Sequence, residues 1–104
     1  MSFIRYEILL PTRYNDGSQV EDQQFDDVVQ EIVERFGGAT FLPEPLRGVW
    51  QHQGQRFDEM NARVIVDVED TPENSAFFTS YKQSLKERFR QLDIWIVCYP
   101  IRIL

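Results

Sequence analysis

Apolar and polar side chains alternate over residues 3–10. Ile4, Tyr6, Ile8 and Leu10 fall on one side, and Phe3, Arg5, Glu7 and Leu9 on the other. A period of two marks a strand, and Pro11 stops it. Tyr14-Asn15-Asp16-Gly17-Ser18 is a turn signal, because Asn and Asp bond their own backbone and Gly17 is free to take positive φ. The period then changes. Phe25, Val28, Val29, Ile32, Val33 and Phe36 make one apolar stripe, which predicts a helix over about 24–36. Asp22, Asp26 and Asp27 crowd its start, where the helix dipole favours negative charge. Gly37-Gly38 ends it.

Residues 39–42 predict a short strand, and Pro43 and Pro45 are expected to break its ladder. Val49–His52 and Gln55–Asp58 read as hairpin arms around Gln53-Gly54. Ala62–Glu69 is the clearest strand, with Ala62, Val64, Val66 and Val68 on one side and Arg63, Ile65, Asp67 and Glu69 on the other. Asp70-Thr71-Pro72-Glu73 starts a second helix, over about 73–91, with Phe77, Phe78, Tyr81, Leu85, Arg88, Phe89 and Leu92 at its inner spacing. Asp93 leads into a last strand at Ile94–Tyr99, which Pro100 is expected to interrupt. Ile101–Leu104 is an apolar tail.

The order is strand, helix, strand, strand, helix, strand, and right-handed crossovers place both helices on one face. This order resembles the ferredoxin-like fold. It implies an α+β sandwich with a four-stranded antiparallel sheet and two helices on one face, with an extra β-hairpin around residues 49–58. Residues 1–104 make one domain, since neither side of the weakly patterned stretch at 11–24 could bury a core alone. The topology hosts many functions and selects none.

The helix-covered set is Ile4, Tyr6, Ile8, Val64, Val66, Val68, Ile94, Ile96 and Cys98. The opposite face is then left bare, and it carries large apolar groups. Phe3, Ile65, Trp95, Val97 and Tyr99, joined by Ile101 and Ile103 of the tail, are the expected homodimer interface. The alternative is that the 43–58 segment folds back over this face.

Charge narrows the partners. The chain has 17 acidic and 11 basic residues, a net charge of -6, so no nucleic acid is expected. A single cysteine excludes an internal disulfide and any cysteine-cluster metal site. No apolar run approaches the roughly 20 residues that span a bilayer, and no signal peptide stands at the N-terminus. The expected setting is cytoplasmic, with no membrane contact.

Candidate chemistry concentrates in Leu46–His52 and the facing arm. Arg47, Trp50, His52 and Asp58 combine a guanidinium fork, an aromatic plane, an imidazole and a carboxylate, a set suited to a small anionic or planar ligand. Each also has a plain reading: Trp50 as a hydrophobic plug, His52 as a solvated hairpin residue. Histidine suits proton transfer near neutral pH, with Asp58 across the hairpin as its expected partner. No nucleophile can be placed beside it, so no catalytic residue is assigned, and no spacing calls for a metal or cofactor. The acidic run Asp26, Asp27, Glu31 and Glu34 reads as a solvated helix face. The resulting expectation is a non-enzymatic homodimeric binding or regulatory domain. The alternative is a small cofactor-free enzyme with an acid/base site around His52 and Asp58.

Overall fold

The computed structural model describes residues 1–104. Strand β1 (Phe3–Pro11) leads to helix α1 (Asp22–Phe36), strands β2 (Thr40–His52) and β3 (Gln55–Glu69), helix α2 (Pro72–Arg88) and strand β4 (Ile96–Ile101). The sheet is antiparallel, in the order β2-β3-β1-β4. This is the ferredoxin-like sandwich that the alternating patterns predict, with β1 and β3 central.

Pairing of Tyr6 with Val66, Ile8 with Val64 and Leu10 with Ala62 aligns the apolar residues of both central strands on one face. The helices cover that face. Val28 and Ile32 of α1 and Phe78 and Leu85 of α2 are buried on it, and the Phe78 ring stacks on Tyr6 at 3.8 Å. The two helices also meet directly. Phe36 lies against Phe77 and Phe78, and Glu31 accepts hydrogen bonds from Tyr81 Oη at 2.6 Å and Arg88 Nη1 at 2.7 Å. Burial, then the Glu31 carboxylate, hold the Tyr81 phenol far above its ordinary pKa. Glu31 is therefore an interhelix tie and not part of a free acidic face.

The ends of the helices follow their residues. Gly37 caps α1 in the left-handed conformation, φ 88°. Thr71 Oγ1 caps α2 by accepting from Asn74 N at 3.2 Å, with Pro72 at the first helical position. The helix stops at Arg88 rather than near 91, because Arg90 adopts positive φ.

Several details depart from the alternation reading. The prolines at 43 and 45 do interrupt the ladder, with no pairing to β3 between Leu42 and Leu46, but they do not end the strand. A register irregularity between Leu42 and Leu46 absorbs them, and β2 runs on to His52. The hairpin at 49–58 is the outer half of β2 and β3, closed by Gln53-Gly54, both at positive φ. Pro100 stays in β4, opposite Ile4, since an edge strand has an outer side on which a missing N–H costs no ladder bond. Cys98, on β4, is exposed and not part of the core.

Phe89 follows α2 directly, is fully buried and packs near Phe25, with ring centroids 5.9 Å apart. Truncation to Ala removes its transfer energy and leaves a cavity, so Phe89→Ala should lose about 3–5 kcal/mol in denaturant unfolding. A loss below about 1 kcal/mol would contradict this packing role.

Candidate functional site

The sheet is not equally wide along its length. Pro11, the last residue of β1, pairs with Asn61, so residues 55–60 of β3 continue past β1 with β2 alone beside them. At this step the chain leaves β1 sideways. Thr12 N and Thr12 Oγ1 both donate to the Met60 carbonyl at 2.9 Å. On the other flank, Leu9 N donates to the Trp95 carbonyl at 2.9 Å, which fixes Trp95 beside β1 just before β4 begins.

A cavity of about 190 Å³ occupies the step, on the face the helices leave bare. It is lined by Leu9, Pro11, Gly48, Val49, Trp50, Glu59, Asn61, Asp93, Ile94 and Trp95. Register explains the grouping. Gly48 pairs with Glu59 and Trp50 with Phe57, so alternate residues of both arms present Trp50, Glu59 and Asn61 to one face. Trp50 is held in place by stacking on Phe57, centroids 4.4 Å apart. Trp95 is 60% exposed.

The polar groups are a carboxamide and two carboxylates. Asn61 is only 7% exposed. Its side chain makes no hydrogen bond within the protein, and its Nδ2 lies where a Cβ on Gly48 would come within 3.2 Å. Burial raises the Glu59 pKa above the ordinary carboxylate value, and contact with the Trp50 indole offsets part of the rise. Asp93 is tied down by Lys82 Nζ at 3.1 Å and by Ile94 N at 2.9 Å. No basic side chain lines the cavity. Two indoles with Asn and Glu suit a planar group that carries hydrogen-bonding edges and positive charge.

The residues singled out in the sequence divide between the two faces of the arm. Trp50 and His52 share the cavity face, ring centroids 6.3 Å apart, with His52 farther out and opposite Gln55. Arg47 and Asp58 lie on the reverse face, where Asp58 accepts from Arg47 Nη2 at 2.8 Å and Arg56 Nε at 3.0 Å. Those guanidiniums, Arg56 first, hold the Asp58 carboxyl below its usual range. The His52–Asp58 pairing is thus not formed. Glu59, Asn61 and Leu9 were not singled out. The signal for them was the parity of Glu59-Met60-Asn61, readable only once 55–58 and 62–69 are joined into one strand. No three His, Cys, Asp or Glu side chains converge to hold a metal ion.

Beyond the cavity, the bare face carries ion pairs between strands. Arg5 grips Asp67 at 2.7 and 3.0 Å, and Glu7 accepts from Arg63 Nη1 at 3.3 Å and from the Tyr99 hydroxyl. Phe3, Ile65, Val97 and Ile101 are half-buried on or beside this face, while Trp95, Tyr99 and Ile103 are exposed. The 43–58 segment does not cover it, since its residues extend β2 and β3. No helix is long and apolar enough to cross a membrane.

Comparison with known proteins shows the fold alone. A phage SAM lyase in complex with S-methyl-5′-thioadenosine is 18% identical, with a TM-score of 0.69 over 97% of this chain and 90% of that one. The apo form of a phage SAM lyase is 20% identical, with a TM-score of 0.61 over 98% and 90%. The divalent cation tolerance protein CutA1 from Thermus thermophilus is 15% identical, with a TM-score of 0.65 over 98% and 86%. No protein-family model matches the chain, and no characterised sequence matches it significantly.

The raised pKa of Glu59 has a consequence for stability. In the window between the ordinary carboxylate pKa and the raised one, the folded state keeps a proton that the unfolded chain has released. Stability therefore falls as pH rises through that window. Glu59→Gln should flatten this slope and be more stable than wild type at neutral pH. Urea unfolding across the acid-to-neutral range checks it, and an unchanged slope would contradict the burial of Glu59.

Proposed function

We propose that this chain is a small cofactor-free enzyme that binds an adenosyl thioether or sulfonium in the Trp50–Trp95 cavity. The observation that carries the reading is the lining itself: two indoles, a carboxamide with no hydrogen bond inside the protein and a half-buried carboxylate, with no basic group. An adenine stacks on indole, and a sulfonium beside it is a cation that an indole face and Glu59 both attract. The likeness in fold to a phage SAM lyase bound to S-methyl-5′-thioadenosine supports the ligand class.

At about 190 Å³ the cavity is below the roughly 300–1,000 Å³ of drug-sized sites. It takes the bicyclic base, and the remainder of the ligand lies at the cavity mouth beside Trp95, where the second subunit of the dimer proposed below closes over it. When the carbon–sulfur bond of the sulfonium breaks, its electron pair stays on sulfur to give the neutral thioether, and the substrate's own carboxylate oxygen closes on the freed carbon as a lactone, so the step balances with no redox cofactor. His52 stands outward of Trp50, at the rim, in this reading.

Titration calorimetry with S-methyl-5′-thioadenosine and with S-adenosylmethionine should show one-to-one binding of both. Incubation with S-adenosylmethionine should release the thioether. Gly48→Leu fills the cavity at a position of ordinary φ and should abolish binding, with circular dichroism checking that the fold survives the crowding of Asn61 Nδ2. Binding without turnover would favour a regulatory domain. Absence of binding to either compound would refute the ligand class.

The bare face supports a second element of the proposal, a homodimer through Phe3, Ile65, Trp95, Val97, Tyr99, Ile101 and Ile103. Exposed Trp95, Tyr99 and Ile103 favour it. Covering such a face removes several hundred Å² of apolar surface at about 25 cal/mol per Å², and two-fold closure is the common solution. Sedimentation equilibrium should give about 25 kDa, twice the 12.4 kDa chain. Trp95→Asp should shift the protein toward monomer, and a wild-type monomer at high concentration would contradict the interface.

A further inference from the structure

Asn61 is the only buried residue of the fold with a non-aromatic polar side chain. It sits on β3 at the last pairing with β1, and its own partner on β2 is Leu46. Neither neighbour offers its carboxamide a hydrogen bond. The amide is not sealed off: its polar atoms keep access to the cavity while the rest of the residue is buried, so a bound molecule in the cavity can take both its donor and its acceptor. Gly48 adds to the case. A side chain there would press on Nδ2, so the glycine leaves that donor open to the cavity.

We propose that Asn61 is the residue that selects the base, reading the 6-amino-purine edge of the ligand. This rests on the adenosyl reading above. Nδ2–H donates to the purine N7, and Oδ1 accepts from the 6-amino group. A carboxamide is suited to this edge because it places one donor and one acceptor side by side. On the same edge a 6-oxo purine presents two acceptors, and Asn61 then satisfies one and opposes the other. Trp50, fixed by Phe57, supplies a stacking surface that any base would accept. The indole thus gives affinity without discrimination, and Asn61 gives the discrimination. Glu59, next to Asn61 but one, is left for the ribose or the charged sulfur.

The test is a cycle between protein and ligand, read by calorimetry. The ligands are S-methyl-5′-thioadenosine, its 7-deaza analogue and its 6-oxo (inosine) analogue. The proteins are wild type and Asn61→Leu, which keeps volume and removes both hydrogen bonds. Wild type should bind the 6-amino compound roughly 10- to 100-fold more tightly than the 6-oxo compound, the range of one bidentate base contact. Loss of N7 should weaken wild-type binding and leave the Asn61→Leu variant indifferent.

Equal wild-type affinity for the 6-amino and 6-oxo ligands would overturn the assignment, as would a 7-deaza penalty of the same size in both proteins. Should Asn61→Leu fail to fold, the three wild-type affinities decide the matter alone. Wild type that binds none of the three overturns the adenosyl reading itself. Binding of all three alike leaves that reading standing and removes only the role of Asn61.

Discussion

The site depends on a mismatch of strand lengths. β1 ends at Pro11, opposite Asn61, while β3 begins at Gln55 and β2 extends to His52. Where β1 ends, the four-stranded sheet becomes a two-stranded arm, and a two-stranded ribbon cannot bury a face by itself. The step holds what the sheet cannot cover: Trp50 stacked on Phe57, Asn61 at the last central pairing, and Trp95 anchored through its carbonyl to Leu9. The helices cannot fill it, because both lie on the other face, over the Tyr6–Val68 core. Pro11 therefore both lines the cavity and, by ending β1, makes room for it.

Charge is sorted by the same geometry. On the reverse face of the arm, Arg47 and Arg56 neutralise Asp58. On the cavity face, Glu59 has no cationic partner, and its burial makes the ionised form costly. Surface ion pairs such as Arg47–Asp58 add little to stability. Their consequence is that both arginines are engaged away from the cavity. A carboxylate held unpaired beside two indoles is a cost in stability that a bound cation would offset, the usual tension between fold and site.

Much of the fold was readable from pattern. The strict alternation at 62–68, the stripe Phe25–Phe36 and the Thr71-Pro72 helix start each record one local rule, and the structure obeys all three. What escaped pattern was continuity. Prolines at 43, 45 and 100 signal breaks by their local chemistry, yet a bulge and an edge position accommodate them. With β2 and β3 read as broken, parity could not be carried from the Val64–Val68 alternation back to the arm. Trp50 and His52 were visible as site residues because aromatic and imidazole groups stand out by type. Asn61 and Glu59 were not, because an amide and a carboxylate in a polar stretch acquire meaning only from burial. Cys98 shows the converse: its alternation suggested cover, but β4 is the sheet edge.

The central claim is that the step between β1 and the arm is a nucleoside site. A crystal structure of the protein grown with S-methyl-5′-thioadenosine tests it most directly. The adenine is expected in the cavity, stacked against Trp50, with its 6-amino group and N7 in hydrogen-bond reach of Asn61 and its ribose toward Trp95 and Glu59. Ligand bound elsewhere on the chain, with Trp50 and Asn61 untouched, would contradict it.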